Sequence, residues 1–316
     1  MRRVNPIHWS GVYFKLMVTF HLLTGLSGSG KTTYAKDIKD RENCVLLSSD
    51  DLRKEFYGDE NIQGNPAFIF EQMRIRTLQA LKEGKNVIYD ATNLNSKRRK
   101  ALLKQLPKDV YKICHCVITP LDKCIENDTK RERHVSESVI MRQLEQFQMP
   151  WYDEGWNDII IVKPFGDAKL NINLNIKHDC PKWHKDDTVA DHIRRVVEAV
   201  KARLDLDRWE LNILLKVAEF HDIGKPYVKT FYNTKGELCD NAHYYNHENV
   251  GAYLYLSIID TPYSCITKNI YDTNLFIAYL INNHMVMYNN QKKFNSLEPH
   301  VRRLLQIFNE CDKEGA

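Results

Sequence analysis

The run Gly25-Leu26-Ser27-Gly28-Ser29-Gly30-Lys31-Thr32 has the residue types of a loop that holds phosphate groups. Its three glycines let the backbone wrap closely around an anion and point amide groups at it. A helical pattern follows at once, and its positive N-terminal end adds to the attraction. We expect Lys31 to reach the β- and γ-phosphates of ATP and the Thr32 hydroxyl to bind Mg²⁺. The predicted nucleotide-binding residues are Gly25, Ser27, Gly28, Ser29, Gly30, Lys31, Thr32 and Thr33.

A second strand pattern, residues 43–47, leads into Ser49-Asp50-Asp51-Leu52-Arg53 and indicates where a phosphate acceptor would lie. A carboxylate at the C-terminal end of a parallel strand faces the phosphate loop across the same sheet edge. Asp50 is our candidate to take the proton from an acceptor hydroxyl. The alternative is that Asp50 or Asp51 caps the helix that follows. Arg53, one turn further on, could clamp a second phosphate of the substrate.

The third strand pattern, residues 86–89, ends in Asp90-Ala91-Thr92-Asn93-Leu94-Asn95. Asp90 stands where a carboxylate would orient either a magnesium ion or the acceptor. We place Thr92 and Asn93 with it on the acceptor side. The basic run at 97–100 could contact a nucleic-acid backbone, or it could be the solvated start of a helix.

The run Lys130-Arg131-Glu132-Arg133 precedes another helical pattern and is a candidate lid. Arginines on such a loop can close over a transferring phosphoryl group and stabilise its charge. We predict this catalytic role for Arg131 and Arg133. The alternative is an ordinary charged surface loop.

A different chemistry is indicated by His221-Asp222-Ile223-Gly224-Lys225-Pro226, which follows a predicted helix at 211–220. An adjacent histidine and aspartate can both bind one divalent ion when the end of the helix turns them inward. Such an ion acidifies the water that it binds and so supports hydrolysis near neutral pH. Other residues of ligand type, each better explained as an ordinary hydrogen-bonded residue when taken alone, are His192, His247, His284 and Asp312.

The order of the predicted elements changes along the chain. Strand and helix patterns alternate from 16 to 162, which predicts a parallel sheet with helices on both faces. Helical spacing dominates beyond 176, although the alternation at 171–175 could add one strand. We therefore predict an N-terminal extension at 1–15, an α/β domain at 16–165, a linker at 166–176 and an all-α domain at 177–316.

The composition is that of an ordinary folded protein. The 316 residues carry a net charge of +4, which permits nucleic-acid binding without requiring it. The eight cysteines form no paired zinc-binding pattern, so we expect free thiols and a cytoplasmic location. No apolar stretch reaches the roughly 18 residues of a membrane span. A cleaved signal peptide would remove the first strand, so we do not expect one, and Met17 is an alternative start.

The first group of residues resembles the phage-type polynucleotide 5′-kinases. The resemblance covers about residues 16–162 and is carried by the runs Gly25–Thr33, Ser49–Arg53, Asp90–Arg99 and Arg131–Ser136. It implies that Asp50 is the general base toward a 5′-hydroxyl, that Arg53 contacts a neighbouring phosphate, and that Arg131 or Arg133 acts from the lid. It also implies ATP with Mg²⁺. The phage enzymes have a basic residue where this chain has Ser49, so the acceptor stays open.

Residues 178–316 resemble the HD superfamily of metal-dependent phosphohydrolases, most closely the HD modules attached to bacterial tRNA nucleotidyltransferases. The resemblance implies a transition-metal ion of the Ni²⁺, Co²⁺, Mn²⁺, Zn²⁺ or Fe²⁺ class. It places Lys225 near the leaving phosphate and His184 near the pocket. The implied metal ligands are His192, His221, Asp222 and Asp312. A second metal or the substrate phosphate would be bound by His247 and His284.

The two resemblances together suggest a bifunctional enzyme that heals nucleic-acid ends. One site would phosphorylate a 5′-hydroxyl, and the other would remove a 2′,3′-cyclic phosphate or 2′-phosphate. Its partners would be RNA or DNA ends, tRNA fragments among them, and a separate ligase, with no membrane. One alternative is a nucleotide or nucleoside kinase fused to a nucleotide phosphohydrolase. Another is a nucleotide-gated RNA-binding switch with an inert HD module.

Overall fold

The computed structural model describes residues 17–131, 134–169, 171–180, 187–259 and 273–316. The predicted extension at 1–15 lies outside them. The α/β part of the chain contains the strands β1 (Thr19–Thr24), β2 (Val45–Ser48), β3 (Val87–Asp90), β4 (Tyr111–Val117) and β5 (Asp158–Val162). They form one sheet in the order β2-β3-β1-β4-β5, and all neighbouring strands are parallel. The central β1 is buried from Phe20 to Thr24, as expected of a parallel strand that is covered on both faces.

The helices of this part are α1 (Lys31–Glu42), α2 (Ser49–Tyr57), α3 (Pro66–Lys82), α4 (Ser96–Leu103), α5 (Leu121–Thr129) and α6 (Glu137–Glu145). Successive residues of a strand point to opposite faces of the sheet. Leu22 accordingly packs with Ile69 of α3, whereas Leu23 packs with Ala35 and Ile38 of α1. The predicted parallel sheet with helices on both faces is confirmed.

The rest of the chain is mainly helical. Its helices are α7 (Val189–Lys201), α8 (Arg208–Phe220), α9 (Lys225–Val228), α10 (His247–Ile258), α11 (Thr273–Asn283), α12 (Val286–Asn289), α13 (Gln291–Ser296) and α14 (Pro299–Glu314). Capping boxes at Thr188 and Asp207 begin α7 and α8, where they satisfy amide groups that have no partner within the helix. None of the helices in the described ranges is long and apolar enough to cross a bilayer.

The prediction of an all-α second part is incomplete, because an antiparallel hairpin follows α9. Its strands are β6 (Thr230–Tyr232) and β7 (Leu238–His243). The Asn233 side chain accepts hydrogen bonds from the amides of Lys235 and Glu237, and Gly236 adopts the left-handed φ of 81° that the turn needs. The expected strand at 171–175 does not form.

The α/β part and the helical part share one core. Leu26, Cys116 and Phe147 belong to the same buried cluster as Val250 and Tyr253 of α10. Polar contacts also cross between the two parts. They join the Asn249 side chain to Glu145 O at 2.7 Å, the Asn282 side chain to Met149 N at 3.0 Å, and Ala168 N to Ser257 O at 2.7 Å. The predicted linker at 166–176 therefore does not hold the two parts apart, and the domain limits themselves stay a prediction.

Candidate active sites

The phosphate loop joins the C-terminal end of β1 to α1 and can be built only with glycine at two points. A methyl group on Gly25 would lie 2.4 Å from Val117 O, and one on Gly28 would lie 2.1 Å from Cys124 O. Both residues also have positive φ angles, 154° and 75°. The loop is thus pressed against the backbone that leads from β4 into α5, and its shape is fixed by that contact.

Lys31 and Thr32 begin α1 and lie beside a buried carboxylate. Lys31 Nζ donates to Leu26 O at 2.6 Å, so the side chain curls back into the loop. Burial lowers the pKa of Lys31, and the charge of Asp90 opposes this shift. Thr32 Oγ1 donates to Asp90 Oδ2 at 3.0 Å. A hydroxyl and a carboxylate in contact at a phosphate loop suit a hydrated Mg²⁺ ion, so Asp90 is better placed for the magnesium role than for the acceptor.

Asp50 lies in the first turn of α2, next to the same sheet edge. The cap of this helix is Ser48, whose hydroxyl accepts from the amides of Asp50 and Asp51. The alternative that an aspartate caps α2 is therefore wrong. Ser48 is paired in register with Asp90 of β3, so the first turn of α2 starts beside the magnesium-type carboxylate.

Arg53 is buried and donates to Asp50 through its Nη1, at 2.8 Å from Oδ1. Its Nε is also buried but has no hydrogen-bond partner. A buried donor without a partner calls for an explanation such as a missing ligand oxygen. In this pair, Arg53 orients the Asp50 carboxylate. The Nε–H group of Arg53 stays available at the expected acceptor position.

Part of the run 90–95 supports the phosphate loop. Asn93 has a left-handed φ of 46°, and its amide donates to Leu23 O at 2.7 Å. Thr24 Oγ1 lies 3.2 Å from the carbonyl oxygens of both Thr92 and Asn93. The predicted acceptor contact by Asn93 is corrected, because its side chain is used to close the strand ends. A contact by the Thr92 side chain stays a prediction.

Arg99 belongs to the basic run that could contact nucleic acid, but the structure buries it inside the protein. Its side chain is 1% exposed and forms a two-pronged ion pair with Glu154, with Nη2 2.6 Å and Nε 2.8 Å from the carboxylate oxygens. Further donors reach Leu94 O and Gln148 O at 3.0 and 2.9 Å. The residue joins α4 to the segment before β5 and is unavailable to an external phosphate.

The lid region is described in part. Arg131 is exposed, and its charge contributes to lowering the pKa of Lys31, behind the larger effect of burial. Arg133 lies outside the described residues. Two neighbours of the loop were missed from the sequence. Asn127 donates to Gly28 O at 2.9 Å, and Gln143 contacts Ser27 through both its amide atoms, at 2.7 and 3.0 Å. Single amide residues in helical patterns carry no signal that could have revealed these contacts.

Four histidines of the helical part meet around Asp222, and each is held by the same kind of bond. Their Nδ1 atoms lie 2.8–3.1 Å from backbone carbonyl oxygens. A carbonyl oxygen can only accept, so each Nδ1 carries a proton, and each Nε2 is the ring atom left to bind a cation. The pairs are His192 with Gly315 O, His221 with Ala218 O, His247 with Tyr244 O, and His284 with Ile281 O.

These Nε2 atoms face one another in two pairs. His192 Nε2 lies 3.2 Å from His221 Nε2, and His247 Nε2 lies 3.1 Å from His284 Nε2. Two lone pairs at such a distance would repel each other, so each pair needs a proton or a metal ion close to its nitrogens. Asp222 stands between the pairs, with Oδ1 3.3 Å from His247 Nε2 and Oδ2 3.3 Å from His221 Nε2.

The ligand atoms form two overlapping groups that share Asp222. The first is His192, His221 and Asp222, the second is Asp222, His247 and His284, and within each group the atoms lie within 4.8 Å of one another. Asp312 adds to the first group, with Oδ1 3.0 Å from His192 Nε2. Imidazole nitrogens and carboxylates fit divalent transition metals. Two ions that share the Asp222 carboxylate would satisfy every donor of this set.

The pKa shifts of the centre reflect the same demand for positive charge. Burial alone would lower the pKa of His221, but the carboxylates of Asp222 and Asp312 raise it to about 10. Burial would raise the pKa of Asp222, but His221 and Lys225 hold it well below its usual range. Burial lowers the pKa of His284 to about 3, assisted by His247. The surroundings of His221 thus favour its protonated form, whereas those of His284 favour its neutral form.

Lys225 lies beside this centre rather than in it. Its Nζ is 2.7 Å from Asp222 Oδ2 and 3.2 Å from His178 Nε2. His178 was missed, because a His-Asp pair such as His178-Asp179 has no weight in a sequence. Burial, and then Lys225, lowers the pKa of His178 to about 4. Burial and charge therefore keep this ring neutral beside the lysine. His184, which the resemblance places near the pocket, lies outside the described residues.

The turn after His221-Asp222 has room only for a glycine at position 224. A methyl group at this position would lie 2.2 Å from His247 O and 2.8 Å from Gly251 N. The turn is therefore in direct contact with the backbone of α10. This contact brings the ligands of α8 and α10 to the same centre.

Comparison with known proteins gives a match for the α/β part alone. Residues 20–150 match the family described as AAA domain. The match shows a similarity of the α/β part to this family. No curated protein sequence matches this chain.

Solved structures with a similar fold include several kinases. The Pnkp1/Rnl/Hen1 RNA repair complex is 22% identical with a TM-score of 0.38, over 41% of this chain and 44% of that one. A gluconokinase from Sinorhizobium meliloti is 17% identical with a TM-score of 0.35, over 46% and 83%. A sugar kinase from Janibacter is 19% identical with a TM-score of 0.35, over 46% and 85%. Likenesses this weak carry no argument about the activity or the acceptor.

Proposed function

We propose that this protein is a bifunctional enzyme that heals RNA ends. The P-loop kinase-like domain would transfer the γ-phosphate of ATP to a 5′-hydroxyl. The helical part would remove a 2′,3′-cyclic phosphate or 2′-phosphate from the other end of a break. The products, a 5′-phosphate and a 3′-hydroxyl, are the ends that a separate ligase joins.

The observation that carries the proposal is the arrangement of the four histidines around Asp222. A buried centre that brings four Nε2 atoms and two carboxylates together is costly for a protein to maintain without ions. A divalent ion held there would supply Lewis-acid stabilisation to a phosphate and to the water that attacks it. Lys225 adds a positive charge beside the centre, where it can neutralise the leaving group. These are the requirements of phosphate ester hydrolysis and argue against an inert module.

In the kinase-like domain, the chain's own residues account for phosphoryl transfer. Lys31 and the loop amides would bind the triphosphate, and Thr32 with Asp90 would hold Mg²⁺, which would supply positive charge to the transferred phosphate. Asp50 accepts the proton of the acceptor hydroxyl, while Arg53 fixes the orientation of its carboxylate. Arg131 would approach the transferred group from the lid and stabilise its charge.

The choice of RNA ends as the substrate rests on the resemblance of Ser49–Arg53 and Asp90–Arg99 to polynucleotide 5′-kinases and of 178–316 to HD phosphohydrolases. Both resemblances lead to nucleic-acid termini. The competing substrate class is mononucleotides, which the same phosphate loop and the same metal centre could accept.

One RNA oligonucleotide that carries a 5′-hydroxyl and a 2′,3′-cyclic phosphate tests the proposal. We expect Asp50→Ala to lose 5′ phosphorylation and keep removal of the cyclic phosphate, and Asp222→Ala to show the reverse. Asp51→Ala, in the same turn, and Asp240→Ala, exposed on β7, are the matched controls and should retain both activities. Preferential turnover of mononucleotides would overturn the assignment to RNA ends, and an inactive, metal-free helical part would favour the RNA-binding switch.

A further inference from the structure

A third cluster of ligand-type side chains lies at the opposite end of α1 from the phosphate loop. It consists of His21 on β1, Glu42 at the end of α1, and Cys44 at the start of the next segment. One nitrogen, oxygen or sulfur atom from each residue lies within 4.8 Å of the other two. Helix α1 spans about 16 Å between Lys31 and Glu42, so this cluster is separate from the nucleotide site.

The backbone folds so that Glu42 and Cys44 face the same point. Asn43 between them adopts the left-handed conformation with a φ of 51°, and its amide donates to Lys39 O. This turn ends α1 and sends the chain back toward the sheet, where Cys44 is buried and packs with Leu23 and Ile88. Because Glu42 stays partly exposed, the cluster has one side open to solvent.

His21 contributes a ring nitrogen that is buried and makes no hydrogen bond. Its side chain is 2% exposed. Its Nε2 forms no regular hydrogen bond, and Glu42 Oε2 lies 3.2 Å away as an ion-pair contact. A buried polar atom of this kind needs an explanation, and a cation between the nitrogen and the carboxylate supplies one.

The other nitrogen of His21 is held by a chain of hydrogen bonds. His21 Nδ1 lies 3.0 Å from His115 Nε2, and His115 Nδ1 lies 3.0 Å from the Tyr34 hydroxyl. With the proton on His21 Nδ1, the lone pair of Nε2 points at Glu42 and Cys44. Histidines that bind metals are oriented in this way by a partner on the second nitrogen.

From this geometry we propose that His21 Nε2, the Glu42 carboxylate and the Cys44 thiolate form a zinc-type metal site. The ligand set is one imidazole, one carboxylate and one thiolate, with the open side available to water, which suits Zn²⁺ or Co²⁺ in tetrahedral coordination. Binding would release the thiol proton of Cys44 and leave the metal–sulfur bond in its place. The ion would fasten the C-terminal end of α1, whose negative dipole end also favours a cation.

The thiolate ligand allows this site to be observed separately from the histidine centre. That centre, as far as its residues are described, contains no cysteine, so a thiolate-to-cobalt charge-transfer band in the near ultraviolet reports on Cys44 alone. We expect the full-length protein, stripped by a chelator and titrated with Co²⁺, to show this band. Cys44→Ser should abolish it, whereas Cys239→Ser, a cysteine on β7, and His221→Ala should keep it.

A second variant keeps the test decisive if Cys44→Ser does not fold. Glu42→Gln replaces a partly exposed ligand and should weaken Co²⁺ binding at this band by at least about tenfold. It should also reduce the rise in the melting temperature that Zn²⁺ gives the wild-type protein. The proposal is overturned if the wild-type protein shows no charge-transfer band, if the band survives in folded Cys44→Ser, or if Glu42→Gln binds Co²⁺ as tightly as the wild type.

Discussion

The hydroxyl of Tyr253 donates a hydrogen bond of 2.8 Å to the carbonyl oxygen of Thr119. Thr119 in turn donates through its own hydroxyl to Ser29 O in the phosphate loop, also at 2.8 Å. Tyr253 lies on α10, six residues after the metal-ligand candidate His247, which is about 9 Å along the helix. One helix therefore contributes to the histidine centre at its start and supports the phosphate loop in its middle.

Tyr253→Phe should lower the free energy of unfolding by about 1–3 kcal/mol. The substitution removes the hydroxyl that donates to Thr119 O and accepts from Thr119 N, and buried groups that lose their hydrogen bonds cost about that much. Urea unfolding measured by circular dichroism and by tryptophan fluorescence gives the value. Tyr232→Phe, at an exposed position of the hairpin, should change it by less than about 0.5 kcal/mol. Equal effects of the two variants would show that the Tyr253–Thr119 contact does not stabilise the fold.

Asp50→Asn should reduce kcat for 5′ phosphorylation by about 100-fold or more, the usual contribution of a general base. The KM for ATP should change little, because the phosphate loop is untouched. Asp51→Asn, exposed one residue along, should keep near-normal rates. Steady-state kinetics on a 5′-hydroxyl RNA separates the two, and the general-base role is wrong if both variants behave alike.

The shared Asp222 predicts a particular pattern of metal content. Loaded with Mn²⁺, which has little affinity for thiolate sites, the wild-type protein should bind two ions per chain. His192→Ala and His284→Ala should each bind one fewer, and Asp222→Ala should bind none. Metal analysis after gel filtration measures the ratios, with His243→Ala on β7 as the control. A count of one for the wild type would exclude the bridging arrangement.

Arg99→Ala should lower the free energy of unfolding by about 3–5 kcal/mol, because it leaves the buried Glu154 carboxylate without its charged partner. Arg98→Ala, at the exposed neighbouring position, should change it by no more than about 0.5 kcal/mol. Thermal and chemical unfolding provide the measurement. An Arg99→Ala protein that is as stable as Arg98→Ala but binds RNA less well would contradict the structural role of Arg99. It would support a contact between Arg99 and nucleic acid.

The parts that could be predicted from sequence are those whose chemistry is local. The phosphate loop and the turn at His221–Lys225 owe their form to neighbouring residues, so their spacing identifies them. The start of α3 (Pro66–Lys82) is likewise local, because the cap residue Asn65 and the following Pro66 mark it. The all-α description missed the hairpin, whose two short strands stabilise each other only when paired.

The roles that could not be predicted depend on residues far apart in the chain. Arg99 looks like any surface base until Glu154 is placed against it. His178 could not be identified as a site residue from the sequence, because Lys225, which it contacts, lies 47 residues away. Asn93 was predicted to bind the acceptor, but its side-chain amide donates a hydrogen bond to Leu23 O. In each case the decisive partner is brought by the fold, and no local pattern encodes it.

The common core of the α/β and helical parts also constrains how this protein can evolve. A lineage that no longer needed one activity could not delete the corresponding half, because Tyr253 and its neighbours would be left exposed and the phosphate loop unsupported. Loss of a function would therefore leave a full-length chain with one eroded centre. Relatives that have become pseudoenzymes in one half should keep Tyr253 and Gly224 long after the ligands around Asp222, or Asp50, have changed.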